Sequence, residues 1–362
     1  MKVDTEHELW HTRIDRRHFL LGAGAMGGLA LGGSVLAACG NPSTAPAGTA
    51  TRLGTVITQL LSLKDVTYAG WYLADKHGFY QQEGVESRLL SGGPNIPNLE
   101  GVVAGDAAQV GMDDILSVIA ARSQGSDLLV IGAQFPTSPA GIVSLSKKPV
   151  RKAQDLVGIR IGAQPGAVAS VKALFTINNL PLSQMNIVHV GRDPQPILDG
   201  VCDCMTCFVT SQPITLKSRG ADVVSVTDAE LGLVDYGDVL FARKSYIQAH
   251  RDALVHYLRA TIKGWEWNEK HPTEAVPYII NTISPDMSLN PTLQQQENET
   301  DIGLMRQGIT KTKGLFYMDP TVIQGPVYKG FEALGSGSQP PLSEWLDLSL
   351  LNDAYAGKTS LL

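Results

Sequence analysis

The chain has 362 residues, a formal net charge of -6, 43% hydrophobic residues and 18% charged residues. This balance excludes a disordered chain, which would lack the apolar residues for a core. It also excludes a polytopic membrane protein, since only one early segment is apolar enough to meet a bilayer. The acidic charge argues against a nucleic-acid partner, because phosphate binding needs a clustered basic face. The length predicts about two domains or lobes.

Residues 1–38 predict an export signal rather than part of the fold. Arg16 and Arg17 directly precede an uncharged apolar stretch that runs from Phe19 to Ala38. The stretch is rich in glycine, whereas a stable transmembrane helix would normally carry more Leu, Ile and Val. The arginine pair resembles a twin-arginine signal, which exports proteins that have already folded.

A lipid anchor is predicted directly after this segment. The run Leu36-Ala37-Ala38-Cys39 resembles a bacterial lipobox, in which the thiol of Cys39 takes the lipid and becomes the new N-terminus. The alternative is a plain signal anchor with an incidental cysteine. Residues 39–51 are rich in Gly, Pro, Ser and Thr and predict a flexible tether. We therefore expect an exported protein that is held on the extracytoplasmic side of a membrane.

The body of the chain alternates predicted strands and helices, taken here in chain order. Strands are predicted at 51–61, 87–90, 109–111, 128–135, 158–162, 186–190, 204–208 and 222–226. Helices or helical turns are predicted between them at 68–80, 96–104, 113–124, 153–157, 167–178, 194–199 and 213–219. From residue 245 the pattern is helical, with helices predicted at 246–268, 273–282, 291–310, 320–334 and 342–355. This order predicts parallel sheets built from crossover units, which place ligands at the carboxyl ends of strands.

Three stretches together resemble one protein family. They are YAGWYLADKHGFYQQEGV at 68–85, SPAGIVSL at 138–145 with AQDLVGIRIG at 153–162, and LDGVCD at 198–203 running into FVTSQP at 208–213. Their order and spacing resemble substrate-binding proteins of the sulfonate-binding and thiamine-pyrimidine-synthase-like superfamily. The resemblance covers roughly residues 52–280, and the C-terminal part fits only as generic helices.

The resemblance implies an α/β fold, the two-lobed clamshell of type II periplasmic binding proteins, with a ligand cleft between the lobes. Lobe 1 is expected to comprise residues 52–136 and, after the chain has built lobe 2 at 137–237, the helical residues 238–362. Two half-sites that close by hinge motion suit the capture of a solute.

The candidate ligand-binding residues lie in turns after strands or at helix starts. Tyr68 and Phe208 offer aromatic faces, which we expect to sandwich a flat ligand from opposite lobes. The polar candidates are Asp65, Gly93, Asn95, Asp113, Ser138, Gln164, Thr210, Asp235 and Tyr236. Structural alternatives remain open, since Asp65 and Asp113 could simply cap helices and Gly93 could lie in an ordinary turn. A set with few cations suits a neutral or zwitterionic flat solute better than an oxyanion.

Three cysteines remain after Cys39, namely Cys202, Cys204 and Cys207. They could form a soft-metal site or a reactive thiol, but no neighbouring His completes a zinc set. We favour small, buried apolar residues on a strand.

Comparison with the enzymatic branch of the superfamily favours a binding protein. The pyrimidine-synthase branch has a cysteine-rich run in a comparable region, whereas here Asp203, Met205 and Thr206 interrupt it. Tyr68 also stands where that branch has a histidine. We therefore expect no catalytic residues, no metal and no cofactor.

These features predict a monomeric, lipid-anchored solute-binding component of an ABC importer. It would deliver a small, flat heteroaromatic compound, such as a thiamine pyrimidine precursor or a flavin, to a permease. The ATPase is expected on a separate chain, because no P-loop motif is present in this one. The alternatives are a binding protein for alkyl or aryl sulfonates, a metal or redox enzyme centred on the cysteines, and an enzyme like the pyrimidine synthases.

Overall fold

A computed structural model describes residues 52–93, 99–335 and 337–362, which belong to one compact unit. Within these ranges, no helix combines the length and the hydropathy needed to cross a membrane. The predictions that concern Arg16, Arg17, Cys39 and Asn95 lie outside the described residues.

The described chain alternates strands and helices, as expected. The strands are β1 (Gly54–Gln59), β2 (Val85–Leu90), β3 (Val110–Asp113), β4 (Leu128–Phe135), β5 (Ala140–Leu145), β6 (Arg160–Ala163), β7 (Asn186–His189), β8 (Cys204–Phe208), β9 (Val223–Thr227) and β10 (Gly237–Arg243). The helices up to the last strand are α1 (Ala69–Lys76), α2 (Phe79–Gln82), α3 (Leu99–Ala104), α4 (Ile115–Ser123), α5 (Val168–Ile177), α6 (Gln195–Leu198) and α7 (Gln212–Ser218). The later helices are α8 (Lys244–Ala249), α9 (Arg251–Lys270), α10 (Ala275–Tyr278), α11 (Pro291–Met305), α12 (Thr310–Lys313), α13 (Pro320–Val322), α14 (Tyr328–Leu334) and α15 (Ser349–Tyr355). The predicted α/β class is confirmed.

The strands form two five-stranded sheets. The first has the order β2-β1-β3-β10-β4 and the second has the order β7-β6-β8-β5-β9. We call the first sheet and the layers on it lobe 1, and the second sheet and its layers lobe 2. Every residue of β4 is buried, as its largely apolar sequence LLVIGAQF predicts for a strand covered on both faces.

The expectation of parallel sheets is confirmed only in part, because both sheets are mixed. β10 runs antiparallel to β3 and β4, and β5 runs antiparallel to β8 and β9. Both strands directly follow a passage between the lobes, so each enters its sheet from the cleft side, against the direction of its neighbours. The sequence pattern predicted neither strand.

Two close crossovers join the lobes. Residues 136–139 lead from β4 to β5, and residues 228–236 lead from β9 back to β10. The Ser138 N–H donates to the Asp235 carbonyl at 2.9 Å, and the Asp228 N–H donates to the Ala140 carbonyl at 2.9 Å. These backbone bonds hold the two crossovers side by side at the carboxyl ends of the strands.

The helices after β10 pack on both lobes. α9 packs on α1 at a very close approach, because a Cβ on Gly70 would collide with the Trp265 ring. α11 contacts the 3₁₀ turn Val66–Tyr68 of lobe 1 and α7 of lobe 2, whereas α14 packs on α5 of lobe 2. α11 therefore brings its side chains to the boundary between the lobes.

Candidate ligand-binding site

A cavity lies between the two sheets, where turns after the strands of both lobes meet. It is lined by Leu61, Ser62, Thr67, Tyr68, Phe135, Pro139, Arg192, Phe208, Thr210, Asp238 and Asp301. The volume that the centre of a water molecule can occupy is about 10 Å³, roughly enough for one water. The structure thus shows the cleft nearly closed, and the lobes must separate to admit a larger solute.

The cavity brings together three residues that the sequence proposed as ligand contacts: Tyr68, Phe208 and Thr210. Tyr68 begins the first cleft helix and is 0% exposed. Its hydroxyl accepts a hydrogen bond from the Ser62 N–H at 2.8 Å, and its ring packs edge-on against Trp71. Phe208 ends β8 in the opposite lobe and is only half-buried. The cavity is therefore bordered by the fully buried ring of Tyr68 and by the more accessible ring of Phe208.

An ion pair crosses the cleft beside these rings. The Arg192 guanidinium, which follows β7 in lobe 2, donates to the Ser62 hydroxyl at 3.0 Å and to the Asp65 carboxylate at 3.3 Å. Asp65 also accepts a hydrogen bond from the Thr67 N–H at 3.1 Å. Asp65 therefore caps its turn, as the structural alternative proposed, and also holds the other lobe.

Buried carboxyl groups give the cavity its electrostatic character. Asp238 is 5% exposed and Asp301 is 0% exposed, and both line the cavity. Burial raises the pKa of Asp238 to about 8, with further contributions from Asp114 and Asp65. Burial also raises the pKa of Asp301 well above its usual range, and the nearby Glu297 adds to that shift. Arg192 is the one cation among the described lining residues, and it already faces Asp65.

Asp238 and Asp301 lie at the cavity in two different local settings. Asp238 has a φ of 48°, in the left-handed region that favours glycine, so its backbone is strained at this position. Asp301 lies on α11, whose buried face is polar and carries Gln294, Glu297 and Asn298 beside it. Neither carboxyl oxygen of Asp301 has a well-formed hydrogen bond among the described residues, and the Thr210 hydroxyl of lobe 2 offers it a weak one that lowers its pKa.

Several predicted contacts lie outside the lining of this cavity. Gly93 is in the turn after β2, where its N–H donates to the Leu61 carbonyl at 3.1 Å. The Ser138 hydroxyl accepts from the Ala140 N–H at 3.2 Å, and the hydroxyl of the fully packed Tyr236 accepts from the Asp319 N–H at 2.9 Å. Gln164 precedes the turn that leads into α5 and is half-buried.

Asp113 and Asp235 belong to a second group of acids at the crossovers, with Glu100, Asp114 and Asp228. Burial raises the pKa of Asp114 to about 6 and the pKa of Asp228 to about 7, and neighbouring carboxylates add to both shifts. Burial and neighbouring carboxylates also raise the pKa values of Asp113 and Asp235 well above the usual range. These acids adjoin the hinge rather than the cavity between the aromatic rings.

Cys202, Cys204 and Cys207 are buried free thiols. Burial raises the pKa of each, which lowers the fraction of thiolate that could bind a metal or attack a substrate. In the described part of the chain, no three His, Cys, Asp or Glu side chains converge in a way that could hold a metal ion. These observations favour the interpretation of the cysteines as small apolar residues of lobe 2.

The most informative lining residues that sequence reasoning missed are Ser62, Arg192, Asp238 and Asp301. Arg192 follows β7 at the carboxyl end of a strand, so its position was a usable signal. Asp301 lies inside a helix with many polar residues, where the ordinary reading is a solvated face.

Comparisons with known proteins agree with this architecture. A family model described as NMT1/THI5 like matches residues 65–275, more than half of the chain. A formylaminopyrimidine-binding protein of Halalkalibacterium halodurans is 22% identical over 63% of this chain and 70% of its own length. The riboflavin-binding protein RibY of Chloroflexus aurantiacus is 21% identical over 77% of this chain and 81% of its own length.

A further sequence relative is named as an enzyme, and a sulfonate-binding protein has a similar fold. A 4-amino-5-hydroxymethyl-2-methylpyrimidine phosphate synthase of Legionella pneumophila is 22% identical over 56% of this chain and 66% of its own length. The solved structure of the periplasmic aliphatic sulphonate binding protein SsuA of Escherichia coli aligns with a TM-score of 0.54, at 13% identity, over 68% of this chain and 83% of that one. At that identity the structural likeness shows the fold alone.

Proposed function

The chain belongs to the NMT1/THI5-like family, and from that premise we propose that it is the extracytoplasmic solute-binding component of an ABC importer for a small, flat nitrogen heteroaromatic. Thiamine pyrimidine precursors lead this class, and flavins are the second candidate. A lipid on Cys39 holds the protein at the membrane, and a permease with a separate ATPase receives the ligand.

The observation that carries the proposal is the position of Tyr68 and Phe208. The two rings come from opposite lobes and border one cavity. Aromatic rings stack on flat ligands, and such pairs contribute about 0.5–1.5 kcal/mol beyond the burial of area. A ligand held in this way joins both lobes, so its binding favours the closed clamshell.

Two alternatives are less well supported by the cavity. A sulfonate would enter a space bordered by the buried acids Asp238 and Asp301, where the one cation among the described lining residues, Arg192, is already paired with Asp65. A synthase would need a reactive group, and the residue that begins the first cleft helix is a tyrosine whose burial raises its pKa well above the usual range. A neutral phenol that already accepts a bond from Ser62 suits a packing surface better than a nucleophile.

Titration calorimetry and thermal shift on the purified protein test the proposal. The panel contains 4-amino-5-hydroxymethyl-2-methylpyrimidine, its formylaminopyrimidine relative, riboflavin and an alkanesulfonate. A heteroaromatic should raise the Tm, because a ligand at a hundredfold excess over Kd stabilises the native state by about 2.7 kcal/mol. Binding of the sulfonate alone, or turnover of a heteroaromatic, would contradict the proposal.

A further inference from the structure

We propose that the carboxyl groups of Asp301 and Asp238 recognise the ligand by pairing with an amino group and the adjacent ring nitrogen, so that the cleft selects amino-substituted nitrogen heterocycles. This inference rests on the proposed function, because it concerns the same cavity. It goes further by naming the hydrogen-bonding groups of the ligand that the protein recognises and the protonation state of the carboxyl groups that recognise them.

The first support is geometric. Both acids line the cavity that Tyr68 and Phe208 also line, Asp238 from β10 and Asp301 from α11. Asp301 is fully buried, and its two oxygens have no well-formed hydrogen bond among the described residues beyond a weak contact with the Thr210 hydroxyl. A buried polar group without good partners destabilises the protein, so a ligand that supplies a donor and an acceptor there is bound favourably.

The second support is the charge around these two acids. The titratable and charged groups that face them are Asp65, Tyr68, Asp114, Arg192 and Glu297. Arg192 donates to Asp65, and the remaining charged neighbours are acids. Burial, and after it the acidic surroundings, favour the protonated form of Asp238 and Asp301.

A protonated carboxyl group offers one O–H donor and one C=O acceptor side by side. An aminopyrimidine presents the complementary pair, a ring nitrogen that accepts and an exocyclic amino group that donates. The two edges form a cyclic pair of hydrogen bonds that contains one shared proton. A sulfonate has only acceptors and cannot form this pair.

The shared proton makes binding depend on pH in a defined way. Near neutral pH the acid holds its proton and a weakly basic pyrimidine is neutral, so the pair forms without net proton exchange. Above the pKa of the carboxyl group, about 8 for Asp238, the protein must take up one proton to bind. The affinity should then fall by about tenfold per pH unit.

Asp301→Asn and Asp238→Asn separate this role from a structural one. An asparagine amide offers the same adjacent donor and acceptor but does not titrate. We expect Asp238→Asn, which replaces the acid whose pKa is raised to about 8, to bind 4-amino-5-hydroxymethyl-2-methylpyrimidine within about threefold of wild type at pH 7. Its affinity at pH 9 should exceed that of the wild type. Asp301→Ala should weaken binding at both pH values, because it removes the donor and the acceptor.

Calorimetry at pH 7, 8 and 9, in two buffers of different ionisation enthalpy, measures affinity and proton uptake together. Asp228→Asn is the matched control, since it removes a buried acid that does not line the cavity. A second control is the same pyrimidine without its amino group, which should bind at least tenfold more weakly.

A flat wild-type profile of affinity against pH without proton uptake, or wild-type slopes in both Asn variants, overturns the inference while leaving the proposed function intact. Failure of every heteroaromatic to bind at any pH overturns the proposed function itself.

Discussion

The guanidinium of Arg192 in lobe 2 lies 3.3 Å from the carboxylate of Asp65 in lobe 1, and it also donates to the Ser62 hydroxyl at 3.0 Å. This ion pair joins the two lobes directly beside the aromatic rings of the cavity. It joins groups that belong to the two lobes themselves, so it stabilises the closed clamshell. An ABC binding protein must also reopen, and a partly exposed pair is weak enough to allow that.

Removal of this contact should weaken ligand binding. We expect Arg192→Met to raise the Kd for the heteroaromatic by about three- to tenfold, mainly through faster dissociation, because the closed state loses two hydrogen bonds. Stopped-flow fluorescence measures both rate constants. Arg219→Met is the matched control, since Arg219 pairs with Asp193 at 2.8 Å inside lobe 2. Equal effects of the two substitutions would contradict a role in closure.

Phe208 should contribute to binding more than to stability. Its ring is half-buried at the cavity, so Phe208→Ala loses stacking and apolar burial with the ligand but little core packing. We expect the Kd to rise by about tenfold to a hundredfold with a small change in the apo Tm. Phe208→Leu keeps much of the apolar area without the flat ring and should lie between the two. Wild-type affinity in Phe208→Ala would exclude the aromatic sandwich.

The three lobe 2 thiols should be unreactive in the native protein. They are buried, and burial raises the pKa of each, so a disulfide reagent should modify them only after unfolding. Timed labelling of the chain from residue 40 onwards, with and without denaturant, measures this. Rapid modification of one native thiol, or its protection by added zinc, would revive the metal or redox alternative.

Local pattern predicted much of the fold but not its mixed sheets. Strand and helix alternation follows from apolar runs and turn residues, and these are properties of short segments. β5 and β10 were not predicted, because each follows a crossover. Their antiparallel direction depends on how the chain passes between the lobes. That is a tertiary relation, which periodicity cannot report.

The residues of the candidate site likewise fall into those that local sequence could predict and those that it could not. Tyr68, Phe208 and Thr210 follow strands or begin helices, so their place at the cleft could be inferred. Asp301 could not, because the polar face of α11 reads as solvent-exposed until the opposing lobe is known to cover it. Asp238 reaches the cavity through a strained backbone conformation, which the residue type alone does not indicate.

The anchoring of the protein is tested at Cys39. Cys39→Ser removes the thiol that the lipobox-like run places for lipidation, so the protein should leave the membrane fraction or accumulate as a precursor. Fractionation and intact mass measure the outcome. Replacement of Arg16 and Arg17 by lysine keeps the charge and should block export through a twin-arginine route. Unchanged membrane retention and mass in Cys39→Ser would contradict lipid anchoring.

The acids at the crossovers should make the protein less stable as the pH rises. Burial and the nearby Asp114 raise the pKa of Asp228 to about 7, so the folded state holds a proton that the unfolded chain releases near pH 4. The stability that this proton supports is complete below pH 4 and is lost as the pH rises to about 7. Asp228→Asn should therefore increase the free energy of unfolding by about 2–4 kcal/mol at pH 8 and change it little at pH 4. Urea denaturation at both pH values measures the difference, with the exposed Asp222→Asn as control. A gain of equal size at both pH values would show that packing, rather than ionisation, causes the effect.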